Sequence, residues 1–255
     1  MSDAEGQRPY FGAVVLSESP NVSPNQKTPL FNAPDAVKWI CGITILAHLG
    51  RVFLNREESL ALLVDLAFIS VRYSHAFFES VGLQWQTVSS PITYVLVHGD
   101  FTHLLVNLLM FLAFGSAVGR RMGMRQLILF YILSGIAGAV LFALLNANSF
   151  APLIGASGAV AGMVGAVCFY SLAPSYPSNP MPFQSRNSTF GFIAMWVFLN
   201  FFLGALPPEF IGLKGGAIAW ETHLGGFIFG LIAAKFFDGR GLPPRSFEIQ
   251  PQAHT

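Results

Sequence analysis

Residues 101–119 read FTHLLVNLLMFLAFGSAVG and contain no Asp, Glu, Lys or Arg. A membrane-spanning helix needs about 20 apolar residues to cross about 30 Å of hydrocarbon. This stretch approaches that length, and Asp100 directly before it is a residue type that caps helix N-termini. Residues 101–119 are therefore predicted to form a transmembrane helix.

The composition of the whole chain also indicates a membrane protein. Of its 255 residues, 53 % are hydrophobic and 11 % are charged, and the mean hydropathy is +0.55. Soluble domains carry roughly 25 % charged residues. A net charge of +1 gives no indication of a nucleic-acid partner. Cys41 and Cys168 both lie in apolar runs, so neither a disulfide framework nor a cysteine-based metal site is predicted.

Five further apolar stretches complete a predicted all-α, six-helix transmembrane bundle. They are residues 36–54, 127–146, 152–173, 189–206 and 217–237. About fifty residues separate the first span from the second. The most apolar part of that segment, residues 60–71, is too short to cross and is interrupted by Asp65. We expect it to be re-entrant or interfacial, and a seventh span there is the less favoured alternative.

The ends of the chain lack the periodic apolar pattern of the spans. The first 35 residues are rich in Pro, Ser, Asn and charge, which predicts a flexible tail. Residues 36–238 are predicted to be the membrane domain, and residues 239–255 a second tail. No cleavable signal peptide is expected, because no apolar stretch lies near residue 1.

The positions of Lys and Arg predict the orientation, because cytoplasmic loops carry more of them. If the N-terminus is inside, ten of the fourteen Lys and Arg residues fall on the inner side. Both termini are therefore predicted to be cytoplasmic, which requires an even number of spans. The second, fourth and sixth spans then all begin at the outer face.

Polar side chains occur at one depth in these three spans, and a polar residue in a span marks a functional site by default. At about 1.5 Å per residue, Ser157 and His223 both lie about 8 to 9 Å below the outer ends of their spans. His103 and Asn107, four residues apart on one helical face, bracket the same level. We expect this layer to be the functional site.

This set of side chains fits acyl transfer by an activated serine. His223 can take the hydroxyl proton of Ser157, because the imidazole pKa suits that exchange. The reaction also needs donors for the developing oxyanion. His103, Asn107 and the Ser157 backbone N–H, near a helix N-terminus, are the candidates.

Glycines beside these residues predict close packing of the fourth and sixth spans. Gly155 and Gly158 flank Ser157, while Gly226 and Gly230 follow His223 with the small-xxx-small spacing. A hydrogen-bonded pair on two helices requires such a close approach.

Three motifs in this order resemble those of the rhomboid family of intramembrane serine proteases. They are Gly-Ala-Ser-Gly from Gly155, His-x4-His-x3-Asn formed by His98, His103 and Asn107, and His-x2-Gly-x3-Gly from His223. The resemblance covers about residues 36–238.

The resemblance implies a Ser157–His223 dyad that cleaves transmembrane segments of membrane-protein substrates. It assigns His103 and Asn107 to the oxyanion hole and His98 to a nearby polar support. It also implies that the fifty-residue outer segment lies partly in the bilayer, and that the aromatic-rich fifth span gates lateral access. Six spans without an additional one resemble members of the bacterial plasma membrane. No cofactor or metal ion is expected.

The chain departs from the family pattern at Ala161, where many members carry an aromatic residue that packs on the catalytic histidine. The resemblance therefore does not assign a residue that orients His223. His48 in the first span matches no motif and is expected to be incidental.

Other functions remain open at this stage: a catalytically inactive rhomboid relative, a polytopic transporter, or a haem or metal protein. Transporters often consist of two matching halves, and no convincing internal repeat is found. Against a metal site, His98 and His103 would point about 140° apart on one helix. The metal-binding pattern His-Glu-x-x-His does not occur either.

Overall fold

The computed structural model of the chain describes residues 33–173, 185–207 and 218–238, and their regular structure is helical, which confirms the all-α fold class. The α-helices in these residues are α1 (Asp35–Val52), α2 (Arg56–Leu66), α3 (His75–Val81), α4 (Trp85–Thr93), α5 (Phe101–Met110), α6 (Ser116–Leu145), α7 (Ser157–Leu172), α8 (Arg186–Ala205) and α9 (Trp220–Ala233). Residues 1–32 and 239–255 lie outside the described residues, so of the two predicted tails only residues 33–35 are described, and Asp35 already belongs to α1.

Two helical runs in the described residues are long and apolar enough to cross a membrane: residues 101–145 and residues 186–205. The first run joins α5 to α6 through a π-helical segment, Phe111–Gly115. α7 is apolar but shorter.

Gly123 divides the first run into two arms. Its φ of 73° and ψ of 176° are not helical, and a positive φ favours glycine. A straight run of this length would extend about 65 Å. Yet His103 near its start and Asn146 just beyond its end line one cavity. The chain therefore reverses at Gly123, and the two arms correspond to the second and third predicted spans.

α7 is the central helix and packs most extensively against α9 and α6. Twelve of its sixteen residues are buried. A methyl group on Gly226 would overlap the carbonyl of Gly158, and one on Gly230 would overlap the carbonyl of Gly162. The glycines thus let the backbones of α7 and α9 come into contact.

The predicted start of the fourth span at residue 152 is wrong, because α7 begins at Ser157. Two constraints hold the preceding residues out of the helix. Leu153 forms an antiparallel bridge with Phe68, and Gly155 has a φ of 110°, outside the helical region. The Gly155 N–H also donates to the carbonyl oxygen of Tyr94 at 3.0 Å.

Residues 56–96 form three short α-helices and two 3₁₀ turns, each too short to cross a bilayer. Arg72, in the first 3₁₀ turn, ties that turn to α2, because its guanidinium donates to the carbonyl oxygens of Ala67 at 3.2 Å and Val64 at 3.0 Å. These carbonyls lie at the end of α2, where backbone acceptors lack helical partners.

α8 packs loosely against the rest of the described structure. Thr189 is its single buried residue, and its main contacts are with α7 and α9. Most of its large apolar side chains are exposed, as expected for a helix that faces lipid.

Candidate active site

A cavity of about 460 Å³ lies where the N-terminal ends of α5, α7 and α9 meet. Ser157, His223 and His103 all line it. Each belongs to the first turn of its helix, so the three predicted site residues share one level. They lie at one level because each is at the start of its helix. For Ser157 this corrects the predicted depth, which assumed that the helix begins at residue 152.

Ser157 is the first residue of α7. The first N–H groups of a helix have no acceptor within the helix, so the Ser157 N–H is available to a ligand. The preceding peptide is fixed, because the Ala156 N–H donates to His98 Nε2 at 3.3 Å. Through this bond His98 supports the backbone beside Ser157. Its side chain is fully buried and does not line the cavity.

Hydrogen bonds at the start of α5 orient His103. Its backbone N–H donates to the Asp100 carboxylate at 2.8 Å, which caps the helix. The Gly99 N–H donates to His103 Nδ1 at 3.4 Å, an arrangement that leaves the proton of a neutral ring on Nε2. His103 Nε2 faces Gly155, where a Cβ atom would lie 2.6 Å from it.

His98 and His103 lie side by side, with ring centroids 5.0 Å apart and ring planes at 66°. The expectation that their rings diverge is wrong, because His98 precedes α5 and only His103 is on the helix. No group of His, Cys, Asp and Glu side chains in the described residues has an arrangement that could hold a metal ion.

α1 reaches the site through two residues near its C-terminal end. The Arg51 guanidinium donates to the carbonyl oxygens of His98 and Gly99. His48 is 2 % exposed and packs edge-on against Phe101, with ring centroids 4.7 Å apart. His48 thus packs against the first residue of α5 and is not among the described residues that line the cavity.

Asn107 is not among the residues that line the cavity. Its side chain is 6 % exposed, and Nδ2 donates to the His103 carbonyl oxygen at 2.9 Å, one turn back in its own helix. The described structure thus brings Ser157, His223 and His103 into the cavity wall and leaves His98 and Asn107 behind it.

His223 Nδ1 lies 2.7 Å from Oδ1 of Asn200 on α8, and no hydrogen bond joins His223 to Ser157 in the described structure. Sequence reasoning missed Asn200. A signal was present, because Asn200 is the one amide or charged side chain between residues 190 and 206. Ala161 is buried with Phe227 and Trp196, away from the cavity lining.

Two carboxylates, Asp100 and Glu221, lie in the cavity wall, and no Lys or Arg is among its described lining residues. Glu221 accepts a hydrogen bond from Asn146 Nδ2 at 3.1 Å, which joins the end of α6 to the start of α9. The cavity wall thus contains polar groups that water can contact, beside apolar side chains such as Leu153 and Ile154.

Comparison with known proteins assigns the chain to a family. A sequence model described as the Rhomboid domain matches residues 84–239, more than half of the chain. RHOMBOID-like protein 4 of Arabidopsis thaliana is 31 % identical over 136 residues, 53 % of this chain and 30 % of the relative. RHOMBOID-like protein 5 of the same plant is 24 % identical over 151 residues, 59 % of this chain and 43 % of the relative.

A bacterial protein is similar to the same degree. The rhomboid protease GluP of Bacillus subtilis (strain 168) is 29 % identical over 160 residues, which cover 63 % of this chain and 27 % of that protein. The matched region is thus less than half the length of each of these relatives.

Proposed function

Because the chain belongs to the rhomboid family of membrane proteins, we propose that it is an intramembrane serine endopeptidase. It would hydrolyse peptide bonds in or near transmembrane segments of membrane-protein substrates. The observation that carries the proposal is the position of Ser157, His223 and His103 around one cavity. The bacterial relative GluP, which is named a rhomboid protease, adds support.

In the proposed first step, Ser157 Oγ forms a bond to the carbonyl carbon of the scissile peptide. The hydroxyl proton passes to His223 Nε2, and the carbonyl π electrons move onto the oxygen. His103 Nε2–H and the Ser157 backbone N–H donate to this oxyanion. Asn107 is proposed as a further donor after its amide turns from its own helix toward the cavity.

In the second step the carbon–nitrogen bond breaks, and the imidazolium of His223 gives its proton to the leaving amine. The acyl group remains as an ester on Ser157. A water molecule from the cavity then attacks the ester, with His223 again as the base. This releases the carboxylate product and restores the Ser157 hydroxyl.

We propose that the chain crosses the membrane six times with both termini in the cytoplasm. The crossings are α1, the two arms of residues 101–145, α7, α8 and α9. In this arrangement the cavity opens toward the outer face, and residues 56–96 lie in or on the outer leaflet. A bacterial plasma membrane is the proposed location.

The test uses purified protein in detergent with a single-span model substrate and a fluorophosphonate serine probe. We expect Ser157→Ala and His223→Ala to abolish both cleavage and labelling, because they remove the nucleophile and the base. Ser171→Ala is the matched control on α7, since that hydroxyl bonds only to the Val167 carbonyl oxygen. His75→Ala, on exposed α3, is the control for His223.

Cleavage by Ser157→Ala at the rate of the parent protein would overturn the proposal. A folded parent protein that neither cleaves nor reacts with the probe would identify an inactive relative instead. Ion-dependent uptake by proteoliposomes without proteolysis would favour a transporter.

A further inference from the structure

We infer that Asn200 is a positioning residue for His223, so that the site is a Ser–His–Asn arrangement carried by α7, α9 and α8. The inference rests on the proposed function and extends it to a residue outside the three motifs. Asn200 would orient His223 in this chain, where Ala161 replaces the aromatic residue that packs on the catalytic histidine in many family members.

The first step of the argument concerns the orientation of the Asn200 amide. Asn200 Nδ2 donates to the Trp196 carbonyl oxygen at 2.8 Å, one turn back in α8. The amide nitrogen is therefore directed at the helix backbone, and Oδ1 is directed at the imidazole. An amide oxygen only accepts hydrogen bonds, so the ring atom that faces it must be the donor.

The second step concerns the tautomer of His223. A neutral imidazole carries a proton on one of its two nitrogens. With Asn200 Oδ1 at 2.7 Å from Nδ1, that proton is held on Nδ1, and Nε2 keeps its lone pair. Nε2 is the atom that must take the Ser157 proton. The opposite tautomer carries a proton there and cannot act as the base.

The third step concerns the register between α8 and α9. Trp196 lies one turn before Asn200, and Phe227 lies one turn after His223. Their rings stack with centroids 4.6 Å apart and planes at 20°. This apolar contact fixes the two helices beside the polar pair, so Asn200 and His223 face each other at a supported position.

The variant that tests the inference is Asn200→Leu, which keeps the side-chain volume similar and removes the acceptor. The matched control is Asn187→Leu, the same exchange on the exposed first turn of α8. We expect Asn200→Leu to lower kcat by about tenfold or more, because the wrong His223 tautomer becomes populated. The KM for the single-span substrate should stay within about twofold, since Asn200 does not line the cavity.

Rescue separates positioning from folding. Asn200→Asp restores an oxygen acceptor at the same place, and we expect it to recover most of the kcat that Asn200→Leu loses. The thermal unfolding temperature is measured in detergent for Asn200→Leu, Asn200→Asp and the control Asn187→Leu. Equal kcat losses in the Leu and Asp variants, with unfolding temperatures equal to the parent's, would overturn the inference.

A spectroscopic measurement on the parent chain does not depend on the folding of any Asn200 variant. With ¹⁵N-histidine labelling, the His223 signals are assigned by their absence in His223→Gln. We expect chemical shifts typical of a protonated Nδ1 and an unprotonated Nε2. A protonated Nε2 with a bare Nδ1 would overturn the inference.

The two proposals fail in different ways. If Ser157→Ala and His223→Ala cleave substrate as well as the parent, the proposed protease function fails. If these two variants are inactive but Asn200→Leu keeps the kcat of the parent, the protease function stands and the role of Asn200 is refuted.

Discussion

At the scale of single residues, Arg51 links α1 to the site through backbone groups. Its guanidinium donates to the carbonyl oxygens of His98 and Gly99, and the Gly99 N–H in turn donates to His103 Nδ1. The position of the His103 ring therefore depends on a cation from a different helix. An Arg can hold two carbonyls with one planar group, which a Lys ammonium does less well.

We expect Arg51→Met to lower kcat by about tenfold, because the loop before α5 loses its donor and His103 its alignment. Lys38→Met is the control, since Lys38 lies on the exposed face of α1 and pairs with Asp35. In a His103→Ala background, Arg51→Met should lower kcat by a much smaller factor. If Arg51→Met lowers kcat by the same factor in both backgrounds, the substitution has a general effect on folding.

The residues of the site differ in how far sequence could predict them. Ser157, His223 and His103 could be predicted as one set from motifs and from their occurrence as polar residues in apolar spans, although the depth of Ser157 was estimated from a helix start at residue 152. Asn200 and Arg51 could not be predicted, because a lone amide in a span also occurs as a contact between helices, and an Arg at a span end also reaches water. Their partners depend on the rotation of each helix about its axis, which hydropathy does not define.

At the scale of elements, the contact between α7 and α9 depends on the absence of side chains. A methyl group on Gly226 would overlap the Gly158 carbonyl, so the two backbones could not keep their distance. Ser157 and His223 lie at the same ends of these two helices, so their separation follows from this contact.

We expect Gly226→Ala to lower the free energy of unfolding by about 1–3 kcal/mol, through overpacking, and to reduce cleavage. Gly191→Ala on α8 is the control, because an added Cβ there meets no atom within 4 Å. Thermal unfolding in detergent compares the two variants. An unfolding temperature for Gly226→Ala equal to that of the parent would contradict the described packing.

Element boundaries show where local patterns lose predictive power. α1, α8 and α9 begin within three residues of the predicted span starts at 36, 189 and 217. α7 begins five residues after the predicted start at 152, because Leu153 is held in a bridge to Phe68, 85 residues earlier in the chain. A contact so distant in sequence leaves no periodic signal in the span itself.

At the scale of the whole molecule, the proposed orientation rests on the charges near the reversal at Gly123. Arg120, Arg121 and Arg125 surround this turn, and clusters of Arg favour the cytoplasmic side. The cavity lies at the opposite ends of the two arms, near His103 and Asn146. The reversal and the cavity therefore belong to opposite membrane faces in the proposed topology.

Single cysteines test this topology in intact bacterial cells with a membrane-impermeant maleimide. We expect Ser80→Cys, on exposed α3, to be labelled, and Met124→Cys, beside the reversal, to be labelled only after permeabilisation. The native Cys41 and Cys168 are buried and serve as the background. Labelling of Met124→Cys alone in intact cells would show the opposite orientation. Labelling of both variants would contradict the proposal that the reversal and the cavity lie at opposite membrane faces.

The meeting of three helix starts at one cavity has an electrical consequence. Aligned peptide groups give a helix N-terminus a partial positive charge, and neither α7 nor α9 has a side-chain cap there. The described wall holds no ammonium or guanidinium group. Peptide dipoles do not lose their charge in alkaline solution, whereas an ammonium does. Whatever stabilisation the dipoles of α7 and α9 give to negative charge in the cavity, against the carboxylates of Asp100 and Glu221 in its wall, should therefore persist at high pH for as long as the helices stay folded.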